Sequence, residues 1–128
     1  MIELEKGVVK LADDLVVRPG YTFAEFKQSK YYDNQDGILI VGLEDKVYLD
    51  GRCYYADLFF RNGGIYMLSL YCCDREFTEL EEGRRKDFHD EILKSYGIDG
   101  SAEYAWGSVS SDYDPKGNTS SINLTYNV

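Results

Sequence analysis

The chain has 128 residues, 44% of them hydrophobic and 29% charged, and carries a net charge of -9 at pH 7. That size suits one domain with a core that needs no disulfide or metal staples, and the presence of only 2 Pro speaks against a long linker. The acidic balance repels phosphate backbones and sets nucleic acid aside as a partner, and no apolar run approaches the roughly 20 residues that span a bilayer, which sets a membrane aside.

Met1 to Leu15 is interrupted by Glu3, Glu5, Lys6 and Lys10, so it does not read as a secretory signal, and the cytoplasm is the expected compartment. The sequons at Asn118 and Asn123 carry no weight in that compartment. The 12 Tyr suit half-exposed antiparallel sheets, where the ring packs and the hydroxyl stays wet.

In chain order, Val8 to Leu11 and Leu15 to Val17 fit a short strand, a frayed arm or two halves of a hairpin. Pro19-Gly20 breaks the chain, and Thr22 with Glu25 makes a capping box for a short helix from Phe23 to about Lys30 that buries Phe23 and Phe26. Tyr31 to Gly37 is polar and turn-rich, and Ile38 to Leu43 suits a strand covered on both faces. Asp50-Gly51 joins Val47 to Leu49 with Arg52 to Phe60 in a hairpin, or sits at a bulge in one long strand.

Within Arg52 to Phe60, the set Tyr54, Ala56, Leu58 and Phe60 is the expected core face, because the opposite set includes Asp57. Asn62-Gly63-Gly64 turns the chain into a strand from Ile65 to Cys73 that is apolar on both faces. The main helix spans Thr78 to Ile98. Thr78 and Glu81 cap its start, and Gly97 ends it in a left-handed turn that brings Ile98 onto Leu93. Phe88, Ile92, Leu93 and Tyr96 form its apolar stripe.

Asp99-Gly100-Ser101 then turns into a terminal hairpin of Tyr104 to Ser111 and Ser121 to Asn127, closed by Asp114-Pro115-Lys116-Gly117-Asn118, with Ile122, Leu124 and Tyr126 facing inward. The resulting fold class is α+β: an antiparallel sheet of about five or six strands with one long and one short helix, in a single layer of helix on sheet.

Catalytic and metal motifs are scarce. Asp112 to Gly117 begins like a calcium loop, but Lys116 occupies a ligand position and Asn123 stands where a bidentate Glu belongs, so a hairpin turn explains it. His89, the sole histidine, reads as a surface or boundary residue with no second ligand nearby. Cys53, Cys72 and Cys73 match no zinc or redox spacing and are expected to be reduced, at least two of them buried, with Cys72 and Cys73 on opposite faces. Arg84-Arg85-Lys86 is neutralised by carboxylates one turn away. No metal or other cofactor is expected.

What remains is a distributed surface. Glu103, Asp112 and Asp114 share the terminal hairpin with Tyr104, Trp106 and Tyr113, and aromatic anchors inside a charged rim are what protein interfaces use. Those six residues are the candidate partner-binding site, with burial of Trp106 against the helix as the structural alternative. The functional expectation is a non-catalytic acidic domain that binds a basic protein, of the type of an immunity protein that occludes a basic effector. The alternative is a small-molecule binding domain or minor enzyme with a pocket between sheet and helix, lined by Tyr54, Tyr55 and Tyr66, with Asp57 for acid-base work. A homo-oligomer pairing a sheet edge is a third reading.

Overall fold

The computed structural model describes residues 1–34, Gly37 and residues 40–127. Gln35 and Asp36 of the expected turn, and Ile38 and Leu39 of the strand expected after it, lie outside the described residues.

The fold is α+β. The N-terminal segment builds a small antiparallel sheet of β1 (Ile2–Glu3), β2 (Val8–Ala12) and β3 (Leu15–Val17), so Val8 to Val17 is the hairpin among the arrangements considered above. Helix α1 (Phe23–Phe26) starts at the expected capping box, where the Glu25 N–H donates to Thr22 Oγ1 at 3.1 Å and Glu25 Oε2 accepts from the Thr22 N–H at 2.9 Å. It buries Phe26 completely and leaves Phe23 half-buried.

The main antiparallel sheet follows, made of β4 (Ile40–Gly42), β5 (Val47–Leu49), β6 (Arg52–Arg61), β7 (Gly64–Cys72), β8 (Ser101–Tyr104), β9 (Gly107–Asp114) and β10 (Thr119–Tyr126). Its order is β4-β6-β7-β10-β9-β8, with β5 paired to the same edge of β6 as β4. Asp50-Gly51 and Asn62-Gly63 both form tight hairpin turns with positive φ at each residue (52° and 83°, 52° and 79°), the backbone that matches strand twist.

Two expectations about strands need correction. The main sheet holds seven strands among the described residues, and Tyr104 to Ser111 is two strands and not one: the chain reverses at Ala105-Trp106 and β8 pairs with β9. Gly107 makes that reversal feasible, since a Cβ there would lie 1.9 Å from Thr125 O. Strand β4 is covered on one face only, with Val41 2% and Ile40 51% exposed, because no layer among the described residues lies over the outer side of the sheet. Ile65 points into the core although the alternation of β7 would send it out with Met67. A β-bulge pairs Phe59 with Met67 but Phe60 with Ile65, which leaves Tyr66 as the extra residue.

The main helix begins as a single 3₁₀ turn, Glu79–Glu81, and continues as α2 (Glu82–Ser95). Glu81 Oε1 accepts from the Thr78 hydroxyl at 3.0 Å. The far end is a Schellman motif: Ile98 N–H donates to Leu93 O and Gly97 N–H to Lys94 O, both at 2.9 Å, with Gly97 at φ 84°. Helix α2 lies over β9 and β10 on the inner face of the sheet. There Phe88, Ile92 and Leu93 join Tyr54, Ala56, Leu58, Phe60, Leu68, Leu70, Ile122, Leu124 and Tyr126 in one buried cluster.

His89 is not at the surface: it is fully buried, and its Nε2 accepts from the Cys72 N–H at 3.0 Å. The bond places the imidazole proton on Nδ1, which has no partner among the described residues. Burial, then the cations Arg85 and Lys86, hold its pKa down at about 4. No helix among the described residues is long and apolar enough to cross a membrane.

Candidate functional site

The space between sheet and helix is filled. The cavity there, lined by Tyr54, Leu70, Ile92, Tyr96 and Leu124, measures only about 10 Å³. Tyr54 belongs to that core, whereas Tyr55, Tyr66 and Asp57 sit on β6 and β7 facing away from it, so the structure does not bring the pocket residues considered above together. A concave surface does line the outer side of α2, about 440 Å³ between Arg75, Phe77, Arg84 and Glu91, but the expected aromatic and acidic residues gather on the other side of the sheet, the face opposite α2.

Strand register lays that face out in rows. One row runs Gly42, Asp57, Ser69, Asn123, Ser110 and Ser101 across six strands. Gly42 leaves room for its neighbour, since a Cβ there would lie 3.0 Å from Asp57 Oδ1. The next row runs Ile40, Phe59, Met67, Thr125, Ser108 and Glu103. The β4–β7 half is therefore aromatic and apolar, with Tyr48 73% and Tyr55 44% exposed, and the β9–β10 half carries hydroxyls and carboxylates.

Hydrogen bonds tie the polar row together. Ser69 Oγ donates to Asn123 Oδ1 at 2.6 Å, and Asn123 Nδ2 donates to Asp112 Oδ2 at 2.7 Å. Ser110 Oγ reaches the same Asp112 oxygen at 2.7 Å. On the aromatic side Tyr71 donates its phenol to Asp57 Oδ2 at 3.0 Å. Burial, and after it the Asp57 carboxylate, push the Tyr71 pKa up to about 12.

Tyr71 and Thr119 line both of two shallow troughs, one on this face and a larger one that runs from it round the end of the sheet to the start of α2. The larger, about 510 Å³, is lined by Lys46, Tyr55, Cys73, Arg75, Phe77 and Arg85 among others. Arg85 is held there by Glu82 at 2.9 Å. The smaller, about 330 Å³, runs between Phe59, Met67 and Ser69 on one side and Asp112, Tyr113 and Asp114 on the other, and no cationic residue lines it among the described residues. Carboxylates without a cation in a concave, partly apolar trough favour a positively charged visitor.

The six candidate binding residues fall into two groups. Asp112, Tyr113 and Asp114 sit together at the end of β9, where Tyr113 donates to Asn118 Oδ1 at 2.8 Å and Asp114 Oδ1 accepts from the Lys116 N–H at 3.0 Å. Glu103, Tyr104 and Trp106 lie at the other end of β9, about 20 Å away at a strand's rise per residue. Glu103 shares the open face, but Tyr104 and Trp106 stack on each other at 5.4 Å and 9°. Trp106 Nε1 donates to Leu4 O at 2.8 Å, so the indole packs on the N-terminal segment and not on α2.

Sequence reasoning passed over Asn123, Ser110 and Ser69, whose signal was present as small polar residues at alternate positions of the strands. No protein-family model, curated protein or solved structure matches the chain.

Proposed function

We propose that the chain is a non-catalytic acidic protein-binding domain whose open sheet face receives a basic protein, in the manner of an immunity protein that neutralises a basic effector by occlusion. The observation that supports this reading is the trough bounded by Asp112 and Asp114 on one wall and Phe59 and Met67 on the other, lined by no cation among the described residues. Charge steers the approach and the apolar wall supplies contact area once water is displaced. On this reading the chain works in the cytoplasm.

The test is affinity capture with the purified chain at low salt, followed by reconstitution of the captured protein from a pure preparation. A basic protein that forms a stoichiometric complex, dissociates as salt rises and fails to bind when Asp112 and Asp114 are both changed to Lys supports the proposal. A partner indifferent to that charge reversal, or none, overturns it.

The larger trough favours a second reading, a small-molecule site at the end of the sheet between Tyr55, Tyr71 and Arg75. Thermal-shift screening separates the two, because a ligand for this trough raises Tm without any protein partner.

A further inference from the structure

Cys53 and Cys73 are twenty residues apart in sequence, yet the register that pairs Tyr54 with Cys72 sets them opposite each other. Cys73 N–H donates to Cys53 O at 2.9 Å, and the two sulfurs stand 2.8 Å apart. A disulfide needs roughly 2.05 Å, so the sulfurs have less than about 1 Å to close. The strand end is held in place by Asp74, whose Oδ1 accepts from the Cys53 N–H at 2.9 Å and whose Oδ2 pairs with Arg52 at 3.5 Å.

Both sulfurs belong to the outer side of the sheet and are only half-buried, while Cys72 points into the core and is fully buried. The expectation that at least two cysteines are buried is therefore corrected, because the alternation of β7 turns Cys73 outward. Cys73 also lines the larger trough, which admits a small reagent. The Lys46 ammonium acts on Cys73 in the direction that favours its thiolate. Against it, burial and the hydrogen bond to Cys53 push the Cys73 pKa up to about 12.

We infer that Cys53 and Cys73 form a cross-strand dithiol that exchanges with small disulfides of the glutathione class and closes into a covalent bridge between β6 and β7. The thiolate of one of the two cysteines attacks one sulfur of the small disulfide, its S–S bond breaks, and one thiolate leaves. The other cysteine, as its thiolate, then attacks the protein sulfur of the mixed disulfide and expels the second thiolate. The protons of the two cysteines end on the two released thiols, so the chain's dithiol is oxidised and the small disulfide is reduced.

The experiment uses the whole chain, reduced and freed of reductant, exposed to oxidised glutathione, alkylated, and read by intact mass and peptide mapping. A product lighter by two hydrogens before alkylation, with a Cys53–Cys73 linked peptide and Cys72 still alkylatable after unfolding, supports the inference. Cys73→Ser should then stop at a stable adduct of one glutathione on Cys53. A folded wild-type chain that accumulates only mixed adducts, that links Cys72 instead, or that does not react overturns it, and this readout depends on no variant folding.

Discussion

Trp106 stands directly over Gly7. A Cβ added at residue 7 would lie 2.5 Å from the indole Cδ2, and the backbone there has φ 68°. The Gly7 carbonyl accepts from the Tyr126 hydroxyl at 2.9 Å, and the Leu4 carbonyl accepts from the indole N–H. The N-terminal hairpin is thus clipped to the last strand through its backbone. Gly7→Ala combines a left-handed backbone with a steric clash and should cost about 2 kcal/mol or more. Trp106→Phe removes only the hydrogen bond and part of the packing and should cost about 1–2 kcal/mol. Urea unfolding measures both, and amide exchange in Trp106→Phe should accelerate first in β1 and β2.

The main helix offers a backbone-only counterpart. Gly97 has φ 84° and nothing within 4 Å of a Cβ built on it, so Gly97→Ala meets no neighbour. Its expected cost is the left-handed penalty alone, about 1–2 kcal/mol, with Gly97→Asn costing less. Equal losses for the two variants in thermal unfolding would point away from backbone strain.

Stability should fall in mild acid because of His89. Its pKa is about 4 in the fold against an ordinary 6.5, chiefly through burial. The unfolded chain therefore binds the proton first as pH drops. The His89 contribution is intact above pH 6.5, declines between 6.5 and 4, and is lost below that window, amounting to about 2 kcal/mol by pH 5 and roughly 3 kcal/mol in full. Urea midpoints at pH 7 and pH 5 measure the slope. His89→Leu should flatten it while lowering stability at pH 7, since the Cys72 N–H loses its buried acceptor.

The two faces of the main sheet should respond differently to truncation. Leu70 is 1% exposed on the inner face, and Tyr55 is 44% exposed on the outer face. Leu70→Ala should cost about 2–5 kcal/mol, and Tyr55→Thr should stay within about 0.5 kcal/mol. A large loss from Tyr55→Thr would mean that the outer face is covered in the folded protein.

Much of this architecture is written in short-range signals. The capping boxes at Thr22 and Thr78, the Gly97 stop and the Asp50-Gly51 and Asn62-Gly63 turns each involve residues within five positions of one another, and each forms as the residues imply. The core face of β6 followed from one charged residue, Asp57, on the opposite side.

The features that were not legible depend on register between distant strands. His89 could not be placed inside without knowing that the end of β7 presents a free Cys72 N–H to α2. The Cys53–Cys73 contact and the row from Asp57 to Ser110 exist only once β6, β7, β10 and β9 are aligned. Trp106 reads as part of a strand because a lone glycine, Gly107, is a weak local mark of the Ala105-Trp106 reversal. Its meaning lies in Gly7 and Leu4, about a hundred positions away.

The rims of the main sheet have a consequence of their own. Among the described residues one is closed by β4 and β5, three residues each, and the other by β8, four residues long. Strands so short present few unpaired backbone groups in line, and a broken edge is a poor template for a strand from another molecule. A sheet with an uncovered, partly aromatic surface would otherwise invite fibre-like stacking through its margins. Here growth along the hydrogen-bonding direction is starved of partners, while the broad surface stays open to an approach from above.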